Sequence, residues 1–215
     1  MNYNDILVDY INNCPFNEPI FIEEIKDYFK SIIDKKDDFL KVIKSVYVYI
    51  NRLVKKNILY QFTKGIYYKP TEGVFGKKRL NAYKIINKKY IEKNKKIIGY
   101  VSGAYLYNKL GLTTLIPAKI LIVTNECPNR NDYVNEKLGV IIRKPKIEID
   151  NDNYLYLQLF DLILNKDNIN VEIDNKKDIF YKFIRDNNLE FEKIMKYAHL
   201  TNNLKAICML YSLED

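Results

Sequence analysis

From Asp37 to Lys56 the chain runs for twenty residues without a glycine or proline, and its apolar positions recur at helical spacing. At about 100° per residue, Phe39, Ile43, Val46, Tyr47, Ile50, Leu53 and Val54 fall on one side. Lys41, Lys44, Ser45, Val48, Arg52 and Lys55 fall on the other. Asp37 and Asp38 suit its start, where a side-chain oxygen can cap an orphan N–H and negative charge meets the positive end of the helix dipole. A long helix with one oily and one cationic side must bury the first against neighbours and leaves the second to water or a ligand.

Its flanks narrow the choice. Tyr3–Asn13 carries Ile6, Leu7, Tyr10 and Ile11 as an amphipathic stripe, stopped by Asn13-Cys14-Pro15. Pro19-Ile20-Phe21 reads as a short extended piece, and Ile22–Phe29 as a second helix burying Ile22, Ile25, Tyr28 and Phe29. Glu23 and Glu24 sit in its first turn, where the helix dipole favours acids. After the long helix, Ile58–Phe62 and Ile66–Tyr68 flank Thr63-Lys64-Gly65 and end at Pro70, the pattern of a hairpin. Helices followed by a hairpin give the order of a winged helix-turn-helix, whose third helix can enter the major groove while the hairpin tip touches phosphate or the minor groove. Residues 1–70 are therefore expected to form such a DNA-binding domain, with Lys64 at its tip. The same arrangement also serves to bind proteins, and an exposed basic face is often only a solvated one.

The net charge of +8 decides little by itself, because 30 of the 35 cations are lysines, as an AT-rich coding sequence would give any protein. Its distribution says more. Residues 1–70 are net +2, residues 71–96 net +7 and residues 97–215 net −1. Coding bias spreads charge evenly and does not account for that cluster, in which Lys77-Lys78-Arg79 follows a loop marked by Gly73 and Gly76. Residues 71–96 read as a basic linker with a helix from Leu80, the spacing of Tyr83, Ile86 and Tyr90 leaving Lys84, Lys88 and Lys89 outside. In residues 97–215, Ile97–Val101 precedes a helix ended by Gly111, Ile120–Val123 and Val140–Ile142 read as buried strands, and the remainder is helical at Leu155–Leu164, Lys177–Asp186, Leu189–His199 and Leu204–Leu213. The expected class is α/β (α+β): a winged helix, then a mixed α/β domain with a helical C-terminus.

Catalytic signals are sparse. The single His199 has no cysteine cluster near it in sequence, which leaves neither a histidine-based triad nor a usual zinc site. No phosphate-binding glycine loop occurs. Cys14, Cys127 and Cys208 are odd in number and widely spaced, against a disulfide framework. The remaining enzyme alternative is a metal-dependent nuclease using Glu148 and Asp150, two apart in an extended run. The alternation Lys146-Ile147-Glu148-Ile149-Asp150 reads equally as an exposed strand, and Asp132, Glu136, Glu148 and Asp150 as a solvated or partner-facing surface. A non-catalytic protein without cofactor or metal is expected. No run reaches the ~20 apolar residues of a membrane span, and the N-terminus lacks a basic signal region, so a cytoplasmic location without a membrane partner is expected.

Particular residues add a resemblance. Arg52-Leu53-Val54-Lys55-Lys56 followed by Lys64-Gly65-Ile66-Tyr67-Tyr68, then Phe75-Gly76, Gly99–Gly103 and above all Asn108-Lys109-Leu110-Gly111-Leu112-Thr113-Thr114-Leu115-Ile116-Pro117, resemble AbiEi-type antitoxins. Ile122–Asn125 and Arg143-Lys144-Pro145 complete the pattern over about residues 40–165. Asn57 stands where that family often has glycine, and asparagine also tolerates the left-handed conformation. Leu115 stands where it usually has glutamine, which puts a polar partner contact there in doubt. The resemblance implies an abortive-infection, toxin–antitoxin role: repression of the protein's own operon at inverted repeats in double-stranded DNA, and neutralisation of a nucleotidyltransferase-like toxin through residues 97–215. The residues expected at DNA are Lys41, Lys44, Ser45, Arg52, Lys64, Lys77, Lys78 and Arg79. A plain winged-helix regulator and a protein-binding scaffold are the alternatives.

Overall fold

Helical spacing near the N-terminus becomes α1 (Tyr3–Asn13) and, after the two-residue strand β1 (Ile20–Phe21), α2 (Ile22–Lys30). The long periodic segment becomes α3 (Lys36–Lys55), followed by β2 (Tyr60–Thr63) and β3 (Ile66–Tyr68). This computed structural model describes residues 3–33, 36–128, 131–165, 176–203 and 207–208. The chain is a mixed α/β protein of two compact units, Met1–Ile85 and Ile86–Asp215.

In the first unit, α1, α2 and α3 close over a small sheet of order β1-β3-β2. Leu7, Phe29 and Ile50, one from each helix, are wholly buried, each contributing about 1.5–3 kcal/mol of transfer free energy. The apolar stripe of α3 differs from its expected one. Val42 is buried, whereas Tyr47 is 37% exposed under the ammonium of Lys26, 5.4 Å from the ring centre. Tyrosine can lie at a boundary with its rim wet, and valine cannot bury its apolar surface there as well. Ile58 is also outside the strand expected to contain it, because Asn57 takes the left-handed conformation (φ 56°) and breaks the chain between α3 and β2. The side chains of Asp37 and Asp38 lie outside the described residues.

Residues 71–96 hold more than a loop and a helix. They form two short hairpins, β4 (Glu72–Gly73) with β5 (Gly76–Lys77) and β6 (Glu92–Lys93) with β7 (Lys96–Ile97). Between them α4 (Ala82–Ile86) passes into a π-helical turn, Asn87–Ile91. Ile85, Ile86 and Tyr90 face inward there, not Tyr83, which stands in the first turn of α4 and is 36% exposed.

The second unit is built on a four-stranded sheet of order β10-β11-β9-β8, comprising β8 (Gly99–Ser102), β9 (Ile120–Thr124), β10 (Tyr133–Asn135) and β11 (Val140–Arg143). β9 and β11 are parallel and the outer pairs antiparallel. Five further helical spans accompany it among the described residues: α5 (Gly103–Lys109), α6 (Tyr154–Asn165), α7 (Lys176–Asp186), α8 (Phe191–Leu200) and the two residues Ile207 and Cys208. The rest of the expected 204–213 helix lies outside the described residues. α6 is the hub, with Leu159 and Leu162 wholly buried and Gln158 donating to the Val101 carbonyl at 2.8 Å. The amide of Asn125 clamps the backbone of Ile149 at both its N–H and its carbonyl (2.9 and 2.8 Å).

Candidate nucleic-acid interface

Burial of Val42, Ile43, Val46, Ile50 and Leu53 turns the other side of α3 to solvent. Lys41, Lys44, Ser45 and Arg52 are all exposed there, and so are Lys55 and Lys56. At about 100° and 1.5 Å per residue, Lys41 to Arg52 form a band spanning about 100° of arc and about 16 Å of axis. The band is not purely polar: Leu40 and Val48 are 54% and 51% exposed beside it. The Ser45 hydroxyl donates back to the Lys41 carbonyl at 3.3 Å, which leaves its lone pairs outward. Lys26 of α2 joins this surface through Tyr47, whose hydroxyl raises the pKa of the ammonium.

Lys64 is exposed in the turn between β2 and β3, but that turn does not project as a free arm. The Ile22 N–H donates to the Gly65 carbonyl at 2.9 Å, and β1 pairs with β3 up to Ile66, so the turn is tied to the start of α2. Lys77, expected just beyond this tip, is instead rooted at its foot. Its ammonium donates to the Asn57 carbonyl at 3.3 Å and lies 5.2 Å from the Tyr60 ring centre. Tyr60 and Lys64 mark opposite ends of β2, about 13 Å apart at strand rise, because β3 carries the chain back before the basic triplet begins. Lys77, Lys78 and Arg79 are exposed beside the end of α3, away from Lys64. One further cation, Lys69, is buried: it donates to the Asn12 carbonyl at the end of α1 (2.8 Å) and covers the Phe16 ring (4.7 Å).

In the second unit, Glu148 and Asp150 are exposed but not on a strand. The Asp150 carboxylate accepts the N–H groups of Asp152 and Asn153 (2.9 and 2.8 Å) and so holds the turn that leads into α6. Asp132 accepts a forked pair from Arg143 (Nε 3.0 Å, Nη2 2.6 Å), which holds its carboxyl below the usual range, and Glu136 pairs with Lys119 at 2.6 Å. Among the described residues no group of three or more His, Cys, Asp or Glu is placed to hold a metal ion. His199 is exposed in the last turn of α8.

Sequence reasoning passed over a polar cluster here. Asp161, the single acid in α6, accepts from Ser102 at 2.7 Å; burial raises its carboxyl pKa against the opposing pull of Ser102, Arg143 and Tyr100. Burial, together with Asp161, pushes the Tyr100 phenol well above its ordinary value. Tyr100 and Asp161 line a cavity of about 180 Å³ with Arg143, Lys144, Phe160 and Thr201. A single acid in a mostly apolar helix was the signal that could have pointed there. Nearby in sequence, the run that carries the resemblance divides sharply. Leu112 and Thr113 are buried, while Leu115 and Ile116 are 50% and 82% exposed.

An exposed cationic face on α3 and a basic hairpin after it are thus the surface features of the first unit of this mixed α/β chain. The chain belongs to a family of unknown function, DUF6088, whose pattern matches residues 21–183. No curated protein matches it. The matched span takes in α2, α3, both hairpins and the whole sheet of the second unit.

Proposed function

We propose that this chain is a DNA-binding autorepressor and antitoxin of the cytoplasm, its first unit a winged helix and its second the part that counters a nucleotidyltransferase-like toxin. One observation carries the DNA half: α3 buries its apolar stripe and leaves Lys41, Lys44, Ser45 and Arg52 exposed along one band. Element order supports the winged-helix assignment, with β1 preceding α2 and pairing with the returning strand of the hairpin. Major-groove entry by α3 would set Arg52 or Lys44 against base edges, where a guanidinium or ammonium meets guanine acceptors. The toxin half rests on the resemblance of residues 108–117, whose exposed Leu115 and Ile116 offer an apolar contact to a protein partner.

A second reading, a scaffold that binds only protein, draws on the exposed apolar side chains of Leu40 and Val48 beside the cationic residues. An electrophoretic shift with the intergenic DNA upstream of the gene separates the two. Retention at submicromolar protein that competitor DNA of unrelated sequence does not abolish supports repression; no shift at any salt concentration favours the scaffold. Co-expression with the neighbouring downstream gene tests the antitoxin half, which fails if that gene is harmless alone.

A further inference from the structure

Among the described residues, the large apolar side chains most open to water are Val74 and Phe75, 94% and 102% exposed. Both stand at the tip of one hairpin. β4 and β5 pair Glu72 with Lys77 and Gly73 with Gly76, which leaves Val74 and Phe75 as the two residues of the turn. Gly76 closes it at φ +96°, a conformation that side-chain-bearing residues rarely adopt.

The root of the hairpin is held firmly. The Lys78 N–H donates to the Thr71 carbonyl at 2.9 Å, Asn17 bonds both the backbone and the hydroxyl of Thr71, and Lys77 reaches Asn57 and Tyr60. Asn57 directly follows the last turn of α3, so the hairpin stands at the end of the helix whose outer band is cationic. Lys77, Lys78 and Arg79 are all exposed on its returning side. An apolar tip on a fixed root, flanked by cations, is the build of a wedge that parts a base step from the minor groove while its flanks take the neighbouring phosphates.

We propose that the β4–β5 hairpin is such a wedge: Phe75, backed by Val74, inserts between base pairs of a duplex held along α3, and Lys77, Lys78 and Arg79 bind the phosphates beside the opened step. The β2–β3 turn, tied down at Gly65, is thereby a lesser contact. This inference rests on the DNA-binding reading of the first unit, and its test keeps the two apart.

The chain has no tryptophan, so Phe75→Trp places a single indole reporter at the tip. Because Phe75 is wholly exposed, neither this change nor Phe75→Ala disturbs the core. Adding a mixed-sequence duplex of about three helical turns at low salt to the full chain is expected to quench the indole by roughly half or more as it stacks on bases. Phe75→Ala is expected to weaken binding of the same duplex roughly tenfold, the scale of one aromatic–base stack. If the Phe75→Trp protein binds the duplex while its indole emission stays unmoved, or Phe75→Ala binds as well as the unaltered protein, the wedge is overturned and the DNA reading stands. If the unaltered protein binds no duplex, the DNA reading itself fails. Vesicles of phosphatidylcholine with phosphatidylglycerol form the remaining arm: a blue shift there, with no response to duplex, overturns the wedge in favour of a membrane-dipping tip.

Discussion

Gly99→Ala tests how tightly the second unit is built. Gly99 opens β8 opposite Thr124. A methyl group there would sit 2.1 Å from the Tyr90 carbonyl oxygen, 2.7 Å from that of Val123 and 2.8 Å from the Thr124 Cβ. Two of these atoms are backbone and cannot rotate aside, so either β8 separates from β9 or the π-helical turn 87–91 shifts. Overpacking usually costs about 1–3 kcal/mol, and a clash with backbone on two sides places this one at the upper end, about 3 kcal/mol. At about 2–4 °C per kcal/mol for a chain of this size, the melting transition of the second unit should fall by about 6–12 °C. Gly111→Ala is the control: no neighbour lies within 4 Å of its added carbon, so only the left-handed backbone (φ +73°) resists, at about 1–2 kcal/mol. Thermal unfolding followed by circular dichroism reads both. A Gly99→Ala protein that melts with the unaltered one, or no lower than Gly111→Ala, would refute the close approach of Tyr90 to Gly99.

Two further outcomes follow from charge. The Asp161 carboxyl pKa is raised in the folded state, so its contribution to stability is full below the unfolded carboxyl value and is lost as pH rises through the folded one. Asp161→Asn should therefore gain stability relative to the unaltered protein between about pH 4 and pH 7, read as urea midpoints at both; a gap that moves the other way refutes the sign. On α3, Lys44→Ala and Arg52→Ala should each cost about 1–3 kcal/mol of operator binding and narrow the margin over random duplex. Competition titrations measure this, and equal losses on both duplexes would assign the two side chains to phosphates.

The parts legible from sequence were those governed by local periodicity. The positions of α1, α2 and α3, the β2–β3 turn at Lys64-Gly65 and the buried strands β9 and β11 all follow from apolar spacing and turn chemistry, which short-range physics sets. Long-range pairing was not legible. That Lys77 returns to the foot of the hairpin depends on β3 reversing the chain and on the Asn57 carbonyl waiting there. Tyr83 stands outward in the first turn of α4 while Ile85 is buried, which the spacing of Tyr83, Ile86 and Tyr90 did not show. Asp150 read as one of two acids on a strand, whereas its carboxylate closes the turn that precedes α6. The exposed tip of Val74 and Phe75 escaped notice for a related reason: glycines at 73 and 76 mark a loop equally well as a paired hairpin.

That this chain binds duplex DNA through the cations of its first unit is tested most directly by affinity as a function of salt. Each phosphate that a side chain no longer neutralises should flatten log K against log salt by about 0.9. Replacing Lys64, Lys77, Lys78 and Arg79 together with alanine is expected to weaken specific and unrelated duplexes alike and to flatten that slope by roughly two to four. An unaltered protein with no salt-dependent affinity for any duplex, or a fourfold variant whose slope matches that of the unaltered protein, would contradict DNA binding through these cations.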